Sequence, residues 1–343
     1  MAARKRSTFL AWRSVIFWSA LAALMLGAGG PVSHAQSRQA LEAAHRRLLP
    51  LFEMSGVVFT DADETNGRLV VGVTDRGVEG RVRGRLRQLG VSSQEVDVVE
   101  TEAIQRVDTL RDRIRPVVAG VQIRFTRFVC SLGFNAFRGA TAGYVTAAHC
   151  STKQGEVDGT EYYQPLQQVP EEFIGTEVAD PPFFRSVDGC PSGRRCRYSD
   201  SNFSEGDSGV LFTLGAIART TGPNNGSLEI DGQFEIVAEG AASVGQTANK
   251  VGRSTGWTQG TVTRTCVNTG VSGSNIVLLC QDFVQNTLQI VAGGDSGSPV
   301  FATNGGRRAT LLGNLWGGNG SGTLFVYSPI GNIELELGPL TTF

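Results

Sequence analysis

The chain has 343 residues and 44 glycines, and its 31 Lys and Arg against 32 Asp and Glu leave a net charge of -1. That balance gives no electrostatic reason to expect nucleic acid or an anionic membrane as a partner, and the length suits two or more modules. A Gly-rich, weakly charged composition with many Val and Thr argues against a helical bundle and for an all-β enzyme with many turns.

Residues 1–35 read as an export signal. Arg4, Lys5, Arg6 and Arg13 make a basic start, Val15 to Ala28 an apolar run, and Ser33-His34-Ala35 a small-residue cleavage site before Gln36. The run falls short of the roughly 20 apolar residues of a spanning helix. A secreted chain, extracellular or periplasmic, with no membrane segment after cleavage is the expectation.

Residues 36–117 form a small α/β module, free of cysteine and rich in Arg, Glu and Asp. Asn66-Gly67 predicts a turn and Arg68–Val73 a strand. Val78, Val82, Leu86 and Leu89 recur at helical spacing before Gly90. Val96–Ile104 reads as a further strand, and Val107–Ile114 as a helix ending ahead of Pro116.

From residue 118 to 343 the pattern turns to short apolar runs broken by Gly, Asn, Ser and Pro. Tyr144–Ala147, Val210–Phe212, Ile276–Leu279 and Thr310–Leu312 are such runs. Regularly spaced short strands predict barrels or a sandwich, and the length suits two small barrels better than one. All six cysteines fall here. An even count in an exported chain implies disulfides, and sequential pairing is the economical arrangement: Cys130–Cys150, Cys190–Cys196 and Cys266–Cys280. No Cys-x-x-Cys pair exists and a single histidine lies nearby, so no metal site is expected.

Two motifs carry chemistry. His149, the only histidine after His45, sits in Thr146-Ala147-Ala148-His149-Cys150, and Gly294-Asp295-Ser296-Gly297-Ser298-Pro299 lies far downstream. A serine hydroxyl is inert at neutral pH unless a base within hydrogen-bond reach takes its proton. Together with Cys130-Ser131-Leu132-Gly133-Phe134-Asn135, these motifs resemble the trypsin/chymotrypsin superfamily of serine endopeptidases, most of all its bacterial streptogrisin and α-lytic branch. The resemblance covers most of the chain after Val118. It implies two six-stranded antiparallel β-barrels with the active site between them. It also implies that residues 36–117 are a pro-region that assists folding and is later removed; the change in composition places the cut near Arg115–Val118, though no motif fixes it.

The resemblance assigns roles residue by residue. His149 is the general base and Ser296 the nucleophile, with the N–H groups of Gly294 and Ser296 as the oxyanion hole. Cys130–Cys150 matches the disulfide that closes the histidine loop. Asp200, 51 residues after His149, stands at the triad carboxylate's position, with Asp207 as its rival. Asp295 is expected to be buried and ion-paired, either to a freed N-terminus or to an internal arginine, with Arg253 as the candidate partner. Ile290 stands where a trypsin-like pocket would place an acid. With Leu315, Trp316, Gly317 and Phe325 it predicts an uncharged pocket and cleavage after a neutral residue. Gly206-Asp207-Ser208-Gly209 repeats the core of the nucleophile motif without the Ser-Pro that follows Gly297, and reads as a decoy.

The expected function is a secreted serine endopeptidase, a monomer made as a zymogen, acting on protein or peptide substrates and bound first by its own pro-region. The chemistry needs no cofactor, and an oxygen-rich calcium loop would leave little trace in sequence. The rival reading is a catalytically silent binding module on the same barrels, which intact His149 and Ser296 disfavour. An α/β-hydrolase esterase is disfavoured by Ser298 in its second glycine position and by the histidine preceding the serine.

Overall fold

A computed structural model describes residues 34–104, 107–186, 189–303 and 306–343. Residues 1–33, and with them most of the expected export signal, lie outside the described residues. No described helix is long and apolar enough to cross a membrane. The chain divides into two compact units, one up to residue 105 and one from residue 106.

The first unit is a three-stranded sheet with two helices. Strand Arg68–Val73 is central, antiparallel to Val57–Asp63 and parallel to Val96–Glu100. A parallel pair needs a crossover, which helix Glu79–Gln88 supplies. Val82 and Leu86, four residues apart on that helix, bury against Leu69, Val71, Val73 and Val96.

The helix expected over Val107–Ile114 does not form. Leu110 is fully buried in the core of the second unit, its N–H donates to Leu228 O at 2.9 Å, and Thr109 bridges Glu229. Asp112 Oδ2 accepts from both the N–H and the hydroxyl of Thr109, closing a local turn. The backbone groups a helix would use are therefore spent on a neighbouring strand and on that turn.

The second unit is built on two sheets. One has eight strands in the order Leu340–Thr341, Phe134–Arg138, Thr141–Thr146, Asn202–Gly206, Phe173–Ala179, Glu161–Tyr163, Gln122–Phe125, Phe128–Ser131. The other contains a closed ring of six: Gly256–Gly270, Thr247–Gly252, Pro299–Thr303, Arg308–Gly318, Leu324–Pro329 and Ile276–Gln285, which pairs back to the first. Further strands extend this sheet. Ile230–Glu239 runs parallel to Arg308–Gly318, and Phe212–Thr220 and Val117–Ala119 follow outward. The architecture is thus β-rich, as expected, but some pairs are parallel and the first sheet exceeds six strands. The ring's interior is filled by Ala248, Val262, Val284, Val300, Leu312, Phe325 and Tyr327 from its strands and by Ile290 from the loop that leads to Ser296.

All three disulfides follow the sequential pairing. Cys266–Cys280 crosses the long hairpin of Gly256–Gly270 and Ile276–Gln285, and Cys130–Cys150 joins strand Phe128–Ser131 to the segment after Thr146.

Candidate active site

Strand pairing sets the site. Thr141–Thr146 and Asn202–Gly206 run antiparallel with Thr146 opposite Asn202. The residues after Thr146 and those before Asn202 therefore emerge at one end of the sheet. After Thr146 the chain makes a tight turn over Ala148–Cys150, held by Ala148 N–H donating to Asp200 O at 3.1 Å. His149 and Asp200 are brought face to face. The imidazole Nδ1 lies 2.6 Å from Asp200 Oδ2, and the His149 backbone N–H donates to Oδ1 at 3.1 Å.

Asp200 is almost wholly buried, whereas the His149 side chain is 37 % exposed. The carboxylate accepts a second donor on Oδ1, Gln154 Nε2 at 2.8 Å. Its own N–H donates to Ser328 Oγ, which donates to the buried Gln281 amide, and Trp316 Nε1 donates to the same Gln281 oxygen. Burial opposes charging of both members of the pair. The mutual attraction outweighs it, so the His149 pKa is raised and that of Asp200 lowered.

Asp207 does not meet His149. It lies at the far end of strand Asn202–Gly206, where its N–H donates to Ile174 O and its carboxylate caps Gly209 N–H. Ser208 beside it is exposed. At roughly 3.3 Å per residue, a five-residue strand separates the two aspartates by more than 15 Å.

Ser296 sits on the loop between Ile276–Gln285 and Pro299–Thr303, pressed against the first sheet. Ser131 N–H donates to Ser296 O at 2.8 Å, and Gly297 N–H donates to Leu315 O at 2.7 Å. Gly297 has φ +91°, and a Cβ there would lie 2.1 Å from Ser131 O and 2.3 Å from Thr146 Oγ1. Only glycine fits that approach. Ser296 Oγ and the His149 ring are not joined by a hydrogen bond in this structure. They line adjoining hollows that share Gly317, Gly318 and Asn319. Base-to-nucleophile hydrogen bonds commonly tighten only when substrate arrives.

The loop's donors divide into two sets. The N–H groups of Ala292, Asp295, Gly297 and Ser298 are all engaged within the protein. Those of Gly293, Gly294 and Ser296 donate to no group among the described residues. Gly294 has φ +96°, a backbone turn that glycine makes without strain.

Asp295 holds the loop from below. Its partner is Lys250, not Arg253: Lys250 Nζ lies 3.3 Å from Asp295 Oδ2, and both side chains are fully buried. Lys250 lies within strand Thr247–Gly252, while Arg253 falls just past its end. There Arg253 Nε donates to Gln122 Oε1 at 2.6 Å. Asp295 also accepts from the N–H groups of Ser254 and Thr255 and from the Thr255 hydroxyl. Burial pulls the Lys250 pKa down against the opposing pull of Asp295.

The residues expected to line a pocket separate. Leu315 and Gly317 border a hollow of about 160 Å³ beside Ser296, with Val291, Ala292, Gly293, Gly318 and Asn319. Trp316 borders the larger hollow containing His149 and Asp200. Ile290 and Phe325 are fully buried in the barrel core and border neither hollow. The lining of the smaller hollow carries no charged side chain.

No family model matches the chain. Its structural neighbours are bacterial chymotrypsin-like serine proteases. Thermobifida fusca protease A is similar at 22 % identity and TM-score 0.47, over 66 % of this chain and 99 % of that one. Cellulomonas bogoriensis chymotrypsin is similar at 23 % identity and TM-score 0.46, over 66 % and 98 %. An α-lytic protease homologue, N4, is similar at 18 % identity and TM-score 0.47, over 66 % and 99 %. These are likenesses of fold, and what the site can do is read from its own atoms.

Proposed function

We propose that the second unit is a serine endopeptidase working through an acyl-enzyme. The observation that carries this reading is the pairing of a base and its orienting acid, His149 Nδ1 at 2.6 Å from Asp200, with the N–H groups of Gly294 and Ser296 left free on the nucleophile's loop. His149 Nε2 takes the Ser296 Oγ proton as Oγ attacks the scissile carbonyl carbon. The carbonyl oxygen becomes an oxyanion, received by Gly294 and Ser296 N–H. Collapse breaks the C–N bond, and the protonated His149 gives its proton to the leaving amine. Water, deprotonated by His149, then releases the acyl group.

The uncharged hollow beside Ser296 supports cleavage after a neutral residue. The compact first unit, residues up to 105, supports a pro-region role, and three disulfides support export. Residues 108–117 pack as part of the second unit, so a processing cut that left them in place would preserve the burial of Leu110. The reading is tested by digesting a peptide library with the purified protein and sequencing the new termini. Cleavage after neutral residues, absent in Ser296→Ala, is expected. No cleavage by folded protein freed of the first unit would favour the binding module.

A further inference from the structure

We propose that Gln154 is a positioning residue for the His149–Asp200 pair, its side-chain amide fixing the plane of the carboxylate that aims the imidazole. This inference rests on the protease reading above only for its effect on turnover. Gln154 Nε2 donates to Asp200 Oδ1 at 2.8 Å while the His149 backbone N–H donates to the same oxygen and the ring faces Oδ2. A carboxylate oxygen has two lone pairs, so Oδ1 is fully used. Rotation about the Asp200 Cβ–Cγ bond would then break the Gln154 contact together with both His149 contacts.

The two ends of this contact are held in one frame. Gly155 N–H, next to Gln154, donates to Asp180 Oδ2 at 2.6 Å. Asp180 Oδ1 pairs with the fully buried Arg197 at 2.6 Å, and Arg197 donates on to Ser201 O beside Asp200. Arg197 and Asp180 are the other charged groups facing Asp200, the first drawing its pKa down and the second itself raised, by burial first and by Asp200 least, and neither donates to its carboxylate. Gln154 is half-buried and borders the same hollow as His149 and Trp316, so it also screens the carboxylate from the cleft.

The chemical consequence has a sign. A neutral donor on Oδ1 spreads the carboxylate's charge and weakens its hold on the imidazolium. Removing the donor leaves more of that charge to the His149 ring, so the ring holds its proton more tightly. A side chain that merely packs would leave this titration where it is.

The experiment is an NMR pH titration of the His149 ring in the full-length protein, beside Gln154→Leu and Gln154→Met. Both variants are expected to move the midpoint upward by about half a unit or more. The rising limb of kcat/KM should move with it, and its plateau should fall by about 10- to 100-fold. An unchanged midpoint and plateau in folded variants would overturn the proposal. The near-isosteric, uncharged Met variant carries the measurement should the Leu variant not fold. If wild type shows the ring titration and its shift but never reacts at Ser296, the protease reading fails and the positioning role stands.

Discussion

Lys250 Nζ and Asp295 Oδ2 lie 3.3 Å apart with both side chains fully buried, directly beneath the loop that presents Ser296. An internal lysine thus completes the charge balance of Asp295 within the second unit itself. Asp295 in turn orders the loop by accepting from Ala292, Ser254 and Thr255. Breaking one partner of a buried pair leaves the other charge uncompensated and typically costs about 3–5 kcal/mol. Lys250→Met should therefore lower the melting temperature by several degrees and suppress reaction at Ser296. Arg253→Met should leave both nearly unchanged. A Lys250→Met protein as stable and reactive as wild type would show that the pair does not hold the loop.

Asp200 raises the pKa of His149, and catalysis needs the neutral ring. Activity should rise with pH through a midpoint above the ordinary histidine value of about 6.5. The apparent value belongs to the coupled pair rather than to either residue. Asp200→Asn removes the attraction and leaves the burial that opposes charging, so its midpoint should fall below that of wild type. Loss of the orienting acid should also lower kcat by roughly 10⁴-fold. Asp207→Asn, whose side chain caps a distant turn, should change neither quantity. A pH–rate profile of the three proteins checks all of this.

Much of this site was legible in sequence because it is carried by local motifs. His149, Ser296 and Gly294 lie in short runs whose residue types are demanded by backbone shape or chemistry. Choosing Asp200 over Asp207 needed strand register, since only the pairing of Asn202 with Thr146 shows which end of the strand faces His149. Lys250 lies in no motif, a fully buried lysine is rare, and only the pairing of Thr247–Gly252 with Pro299–Thr303, Lys250 opposite Val300, brings it beneath the loop. Ile290 and Phe325 have the apolar character of either a pocket wall or a core, and both lie fully buried in the barrel core without bordering either hollow. Gln154 lies in a loop with no motif. Val107–Ile114 had helical spacing, but Leu110 buries in the second unit's core.

Gly297 meets two atoms at once. A methyl there would press on Ser131 O and Thr146 Oγ1 in a backbone region that disfavours side chains. Gly297→Ala should displace Ser296 and abolish its reactivity even in protein that still folds. Thr146→Ser keeps the Oγ1 contact with Ser131 O and should be tolerated. A reactive Gly297→Ala protein would contradict the tight seating of the loop on the first sheet.

Glu177 is buried behind the site, accepting from Asn202 Nδ2 at 2.9 Å and Asp158 N–H at 3.1 Å. Burial raises its pKa to about 7. A carboxyl that binds its proton more tightly when folded stabilises the protein most at low pH and loses that contribution as pH rises through about 7. The stability difference between wild type and Glu177→Gln should therefore move in favour of the glutamine variant between pH 5 and pH 8. Thermal melts of both proteins across that range test the direction, and a pH-independent difference would refute it.

On the proposed reading Ser296, activated by His149, is the nucleophile. The most direct measurement is to treat the purified protein with a fluorophosphonate and map the adduct by peptide mass spectrometry. A single adduct on Ser296, lost in His149→Ala and undiminished in Ser208→Ala, is the predicted result. An adduct on Ser208, or none on folded protein freed of its first unit, would contradict it.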